Sequence, residues 1–202
     1  NVRYVVIPND LPPGRPRPDL SYLVGTTREV YRNADVRVLE RTTALPRAWI
    51  VHDAFEVEEG ESLDLLVTGG IDPRTTALLE REPPPLSEPE DASTDAATIT
   101  HYEADTIRLD AWTDADGLLV LGEVYDEGWR AYVDGKRVPI YVADHALRAV
   151  PLAAGSHVVE LRYEPPSLRL GLALTGTGIV VGVVLVILAA RRRWTSRRRG
   201  HV

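Results

Sequence analysis

The chain contains no cysteine and no methionine, only one phenylalanine, and a single lysine, Lys136. Without cysteine there is no disulfide framework and no thiolate metal site. Without methionine, and with Asn at position 1, the sequence predicts that it is part of a longer chain or a processed product of one. A secretory signal is also missing, because the short apolar run Asn1–Ile7 meets Pro8 and then Pro12-Pro13. An outward-facing domain lacking such a signal needs upstream membrane segments to deliver it. The near-absence of lysine beside abundant arginine reads as a GC-rich bacterial coding bias. No G-x-S-x-G, P-loop or dinucleotide fingerprint occurs. His52, His101, His145 and His157 are scattered without ligand spacing. Asp114, Asp116 and Gly117 resemble the start of a calcium loop, but the remaining ligand positions are missing, so they read as a turn. No catalytic residue, metal ligand or cofactor is therefore assigned.

Charge is unevenly spread. Six of the 23 basic residues fall within Arg191–Arg199, which leaves 17 against all 30 acidic residues, a formal −13, in the part before Arg191. An acidic body of this kind argues against a nucleic-acid partner.

The longest apolar run is Leu170–Ala190, LGLALTGTGIVVGVVLVILAA, with no charged residue. Twenty-one helical residues span about 31 Å, the hydrocarbon thickness of a bilayer. The arginine-rich stretch that follows predicts a cytoplasmic C-terminus and places residues 1–167 on the outer side of a bacterial plasma membrane. Arg191, Arg192, Arg193 and Trp194 are the expected contacts with the membrane interface. Gly178 and Gly182 form G-x-x-x-G, a spacing that lets a neighbouring helix approach, and Gly171 with Thr175 repeats it.

Before the span the pattern is β. Asn1–Ile7, Glu29–Arg32, Val36–Thr42, Arg47–His52 and Thr75–Glu80 read as strands. Pro8–Asp19, with five prolines, reads as an irregular or polyproline-II-like segment. Gly60–Thr68 reads as a short helix with Ser62 as a weak cap. Glu82–Ala97 is acidic, proline-rich and nearly free of large apolar residues, which predicts a solvated loop. Seven strands are then expected: Thr98–Tyr102, Thr106–Thr113, Gly117–Tyr125, Trp129–Val133, Lys136–Val142, Leu147–Pro151 and His157–Tyr163. Leu118–Leu121 is apolar on both faces, which predicts a central strand. The fold class is mainly β, an antiparallel β-sandwich of jelly-roll type with one short helix, followed by a single C-terminal transmembrane helix. The expected segments are 1–81 and 98–167 as the two parts of one sandwich, 82–97 as the acidic loop, 168–190 as the span and 191–202 as the tail.

Asp134-Gly135 is a type I′ hairpin signal. Pairing outward from it sets Val133 opposite Lys136, Tyr132 opposite Arg137, Ala131 opposite Val138 and Trp129 opposite Ile140. Trp129, Ala131, Val133, Val138 and Ile140 then share the buried face, while Arg130, Tyr132 and Arg137 share the other. Of the aromatic residues Tyr125, Trp129 and Tyr132, this register assigns Trp129 to the core. Tyr132 with Arg130 and Arg137 remains as the surface candidate for contact with carbohydrate.

The string EVYDEGWRAYVDG from Glu123 to Gly135 resembles the C-terminal end of the bacterial YfhO family of membrane proteins. So do Leu147–Val150, Ala154–Val159 and Tyr163–Ser167, with Asn1–Val6, Leu45–Ala48 and Asp72–Arg74 fitting in the same order. Tyr125-Asp126-Glu127-Gly128 departs from the family's Tyr-Tyr-Pro-Gly-like turn. The resemblance implies the last part of a polytopic membrane protein similar to GT-C-type glycosyltransferases. Such proteins are implicated in decorating cell-envelope polymers from polyprenyl-phosphate sugars, with catalytic acidic residues upstream of the region seen here. Expected partners are the lipid bilayer, upstream membrane helices of the same chain, and an envelope glycan or polyprenyl-linked sugar. The alternative is a membrane-anchored, non-enzymatic module that binds carbohydrate or another envelope component.

Overall fold

The computed structural model describes residues 2–9 and 25–199, with side chains for all of these except 169 and 188–199. From Asp10 onward, the proline-rich segment lies outside the described residues. In chain order the elements are β1 (Tyr4–Pro8), β2 (Thr27–Arg32), β3 (Val36–Arg41), β4 (Ala48–Val51), β5 (Asp53–Glu56), α1 (Glu61–Thr68) and β6 (Thr76–Leu79). After a 3-10 turn at Ala92–Thr94 come β7 (Ala96–Tyr102), β8 (Thr106–Thr113), β9 (Gly117–Val124), β10 (Trp129–Val133) and β11 (Lys136–Val138). The chain finishes with β12 (Tyr141–Ala143), β13 (Leu147–Leu152), β14 (Gly155–Tyr163) and the long helix α2 (Pro166–Arg199).

The chain is thus mainly β, with a short helix and one C-terminal apolar helix, as its sequence pattern predicts. The strands form three sheets, ordered β1-β3-β2, β11-β10-β14-β8-β7 and β4-β9-β13-β12-β6-β5. Strict alternation in β8 points Ile107, Leu109, Ala111 and Thr113 inward and Arg108, Asp110 and Trp112 outward. The inward residues join Trp129, Ala131, Val159 and Leu161 of the five-stranded sheet. Against these pack Ala48, Leu119, Leu121, Val150 and Leu152 of the six-stranded sheet, making the inter-sheet core. The other face of β9 is buried as well: Leu118 and Val120 cluster with Trp49, Val51, Ala77, Leu79 and Ala149, and Leu45 and Leu86 lie over them. With β4 on one side and β13 on the other, β9 is the central strand its two apolar faces predict.

Five local expectations change. The single strand expected over Lys136–Val142 divides at Pro139, which has no N–H for a ladder bond, and the chain crosses there from one sheet to the other. The first three hairpin pairs form as expected, but the ladder stops at Val138, so Trp129 and Ile140 do not pair; on its other side Trp129 pairs with Tyr163 of β14. Ser62 does not cap α1; Gly60 occupies the cap position with φ 87°, and Ser62 is fully buried in the first turn. The sandwich is not wholly antiparallel, because β5 and β6 pair in parallel with α1 as their crossover. The fifth change concerns the β8–β9 turn. Its Asp114 carboxylate accepts the backbone N–H groups of Glu90 and Asp91, and the Asp116 carbonyl accepts that of Ser87. The acidic segment is therefore clasped to the sandwich although it forms no strand before Ala96.

At its other end the sandwich meets α2. β14 stops at Tyr163, and the Glu164 N–H donates to the Gly128 carbonyl at 2.7 Å, which fixes the start of α2 against the start of β10. Tyr163 packs on Trp129 with ring centroids 5.4 Å apart. Gly128 permits this approach, since a Cβ there would stand 2.5 Å from the Tyr163 ring and 2.8 Å from an Asp126 oxygen. The Asp126 carboxylate raises the pKa of the Tyr163 hydroxyl above its ordinary value. Gly128→Ala is expected to cost about 1–3 kcal/mol through overpacking. Gly135→Asn, at φ 76° in open space, should cost well under about 1 kcal/mol. Thermal unfolding of both variants in lipid nanodiscs measures the difference.

Asp144, in the β12–β13 turn, is 8% exposed. Its Oδ1 accepts the Leu78 N–H at 3.0 Å and its Oδ2 is buried without a partner. Burial pushes the carboxyl up to about 6, against the weaker opposing effect of the Leu78 hydrogen bond. A carboxyl whose folded pKa lies above its unfolded value favours folding when protonated. The contribution of Asp144 to stability should be greatest below about pH 4 and fall as the pH rises through about 6. Asp144→Asn removes the ionisation. Relative to wild type, it should gain up to about 3 kcal/mol of stability between pH 4 and pH 7, a difference that denaturant titrations at the two pH values would show. Equal pH dependence of the two proteins would contradict this.

Candidate functional site

The end of the sandwich from which α2 departs carries the sequence candidates and several residues the sequence did not single out. Three side chains tie the two sheets together there. Arg47, just before β4, donates to Glu123 Oε1 at 2.8 Å, the Tyr102 hydroxyl donates to the same oxygen at 2.9 Å, and the Arg47 guanidinium lies over the Tyr102 ring. Deeper in the inter-sheet core sits Arg148, 5% exposed, its guanidinium 4.1 Å from the centre of the Trp129 ring. Arg148 Nε donates to the Val124 carbonyl at 2.9 Å, whereas Nη1 is buried without a partner. Burial pulls the Arg148 pKa below its ordinary value. The Arg148–Trp129–Tyr163 stack closes the core at the end that α2 leaves.

Beside this stack a cleft of about 370 Å³ opens, lined by Tyr125, Trp129, Arg130, Ala131, Arg137, Val138, Pro139 and Ile140. It exists because Pro139 diverts the chain away from β10 and leaves the hairpin edge uncovered. Arg130 Nη1 donates to the carbonyls of Glu127 at 2.5 Å and Trp129 at 2.8 Å, so its position is fixed by the backbone. Arg137 is exposed and makes no hydrogen bond or ion pair with the described residues. At the cleft's far side Arg81 donates to the Ile140 carbonyl at 2.7 Å and lies over the Tyr141 ring at 3.9 Å. Two guanidiniums beside an indole and a phenol suit a ligand with an anionic group attached to a flat or apolar body.

Of the three carbohydrate candidates, the structure brings Arg130 and Arg137 together in this cleft and leaves Tyr132 out of its lining. Tyr132 stands on the outer sheet face, where the Arg162 guanidinium lies 5.1 Å from its ring centre. Its cross-strand neighbour Glu160 takes Arg162 at 2.7 Å and Arg108 at 3.2 Å, and these two arginines hold the Glu160 carboxyl below the ordinary range. Trp129 is 9% exposed, in keeping with its assignment to the core.

In α2 the apolar window runs over Pro166–Ile187 with mean hydropathy 2.4. The helix backbone continues through Arg191, Arg192, Arg193 and Trp194 to Arg199, but the side chains of those four residues lie outside the described residues. Gly178 and Gly182 sit one turn apart with no atom within 4 Å of where a Cβ would stand. Among the described residues no group of three or more His, Asp or Glu side chains could hold a metal ion. His52 instead pairs with Asp95 at 2.7 Å, with both side chains nearly buried.

Residues 90–175 match the family described as "Bacterial membrane protein YfhO". Neither a curated protein nor a solved structure matches the chain. The matched stretch starts in the acidic segment, takes in β7 to β14 with the cleft and the Arg148–Trp129–Tyr163 stack, and ends in the first turns of α2. Over residues 90–175, from the acidic segment to the first turns of the apolar helix, the chain is similar to the bacterial YfhO membrane protein family, and this match supports its assignment there.

Proposed function

We propose that this chain is the C-terminal extracytoplasmic domain and last membrane helix of a polytopic bacterial glycosyltransferase. The enzyme would act on cell-envelope polymers, using polyprenyl-phosphate sugars. The sandwich supports the enzyme and positions the acceptor polymer; it does not carry the catalytic centre. The observation behind this role is the cleft with Arg130 and Arg137, next to the point where the sandwich is tied to α2. A site there lies beside the bilayer surface, within reach of chemistry performed on a lipid-linked donor. The cleft's paired guanidiniums suit an acceptor bearing phosphate or another anion. In this reading the sandwich faces outward and the arginine-rich tail inward, in keeping with the positive-inside rule. The uncovered strip at Gly178 and Gly182 would receive a sibling helix of the parent chain.

The test is complementation of a deletion strain, with the sugar content of its envelope polymers measured by NMR. The Arg130→Ala/Arg137→Ala double variant should reach the membrane at wild-type levels and lower sugar decoration by at least about tenfold. Full decoration by the double variant would remove the cleft from the account. Envelope polymers unaltered by the deletion itself would remove the transferase reading.

A further inference from the structure

The outer face of the five-stranded sheet divides along its strands. In the half nearer α2, polar groups satisfy one another through Arg108, Glu160, Arg162 and Tyr132. In the far half they do not. Trp112 on β8 is 38% exposed, against 8% for Trp49 and 9% for Trp129. Its cross-strand neighbours are Ala96 on β7 and Ser156 on β14, both too short to cover an indole. The next row across the sheet is Thr98, Asp110 and Val158. The side chains of Thr98, Asp110 and Ser156 form no hydrogen bond or ion pair with the described residues. Asp134 and His157 close one side, joined at 2.7 Å. Together these residues form a shallow groove of about 540 Å³ beside the exposed indole.

We propose that this groove binds a neutral, hydroxyl-rich sugar chain. Trp112 stacks on the apolar face of one pyranose ring, and Asp110, Thr98 and Ser156 meet its hydroxyl groups. A single aromatic face between short side chains fits a flat saturated ring, and hydrogen-bonding groups without protein partners stand beside it. The groove's carboxylates are those of Asp110 and Asp134; His157 is engaged by Asp134 and by the Ala153 carbonyl, which leaves Asp110 without a counter-charge among the described residues. An anionic polymer is thereby disfavoured, in contrast with the cleft at Arg130 and Arg137. A protein partner fits less well, because the exposed large apolar residues lining the groove are Trp112 and Val158, far short of the roughly 800 Å² per partner of a stable interface. The inference stands whether or not the transferase reading holds, because it uses neither the cleft nor the catalytic chemistry.

The test uses the whole chain in lipid nanodiscs with its four tryptophans replaced by 5-fluorotryptophan, and the Trp112 signal assigned through Trp112→Phe. Maltohexaose and chitohexaose are titrated separately and followed by fluorine NMR. At least one should shift the Trp112 resonance saturably while those of Trp49 and Trp129 stay in place. Trp112→Ala should weaken that binding at least about tenfold without altering the thermal midpoint, and Trp112→Phe should retain part of it. Three results would overturn the proposal: no Trp112 shift with either oligosaccharide, undiminished binding by Trp112→Ala, or a shift that follows protein concentration alone, which would mean that a second copy covers the face.

Discussion

β14 carries two obligations at once, and the remainder of the structure follows from them. It pairs with β8 over eight residues and with β10 over five, so the five-stranded sheet depends on it. Three residues after its last position, α2 begins. A strand fixed so firmly and continued so directly leaves little freedom for the sandwich to swing relative to the helix. The Glu164–Gly128 hydrogen bond and the Tyr163–Trp129 packing narrow that freedom further. The domain is therefore joined to the apolar helix by a backbone hydrogen bond and packed rings, in place of a flexible stalk. The cleft and the Arg148 stack share this seat, which keeps both at a set height above the apolar helix.

Chemistry on the two sides of β10 is divided in the same ordered way. The cleft presents cations beside aromatic rings. The far outer face presents carboxylates and hydroxyls beside one indole. Between them lies a strip in which Glu160 neutralises two arginines and Arg162 covers Tyr132. Two ligands of different electrostatic character could thus engage the domain without competing. A charged sugar polymer suits the first site and a neutral one the second.

Much of this could be read from the sequence, for identifiable reasons. The Asp134-Gly135 turn fixes its own register, and the hairpin pairs nearest the turn form as the pattern requires. Leu118–Leu121, apolar on both faces, is central because only a doubly covered strand tolerates that composition. The apolar run after Arg169 is helical throughout. What escaped depended on long-range contacts. β5 is short and polar at both ends, and it exists only because β6 lies beside it. The buried Arg148 gives no local signal, since its place is set by Trp129 from another sheet. Tyr132 carries the right residue type, but Arg162, thirty positions later in the chain, covers its ring. Trp112 was within reach: the alternation Ile107-Arg108-Leu109-Asp110-Ala111-Trp112 already sets it with the polar residues on the exposed face.

The central claim is that the sandwich sits on the outer surface of the bilayer, with the arginine-rich end of α2 on the inner side. Because the chain has no cysteine, single cysteines introduced by Glu103→Cys and Ser196→Cys report its topology without background. In intact cells a membrane-impermeant maleimide should label the first and spare the second until the membrane is permeabilised. Labelling of Ser196→Cys alone in intact cells, or of both without permeabilisation, would contradict the account.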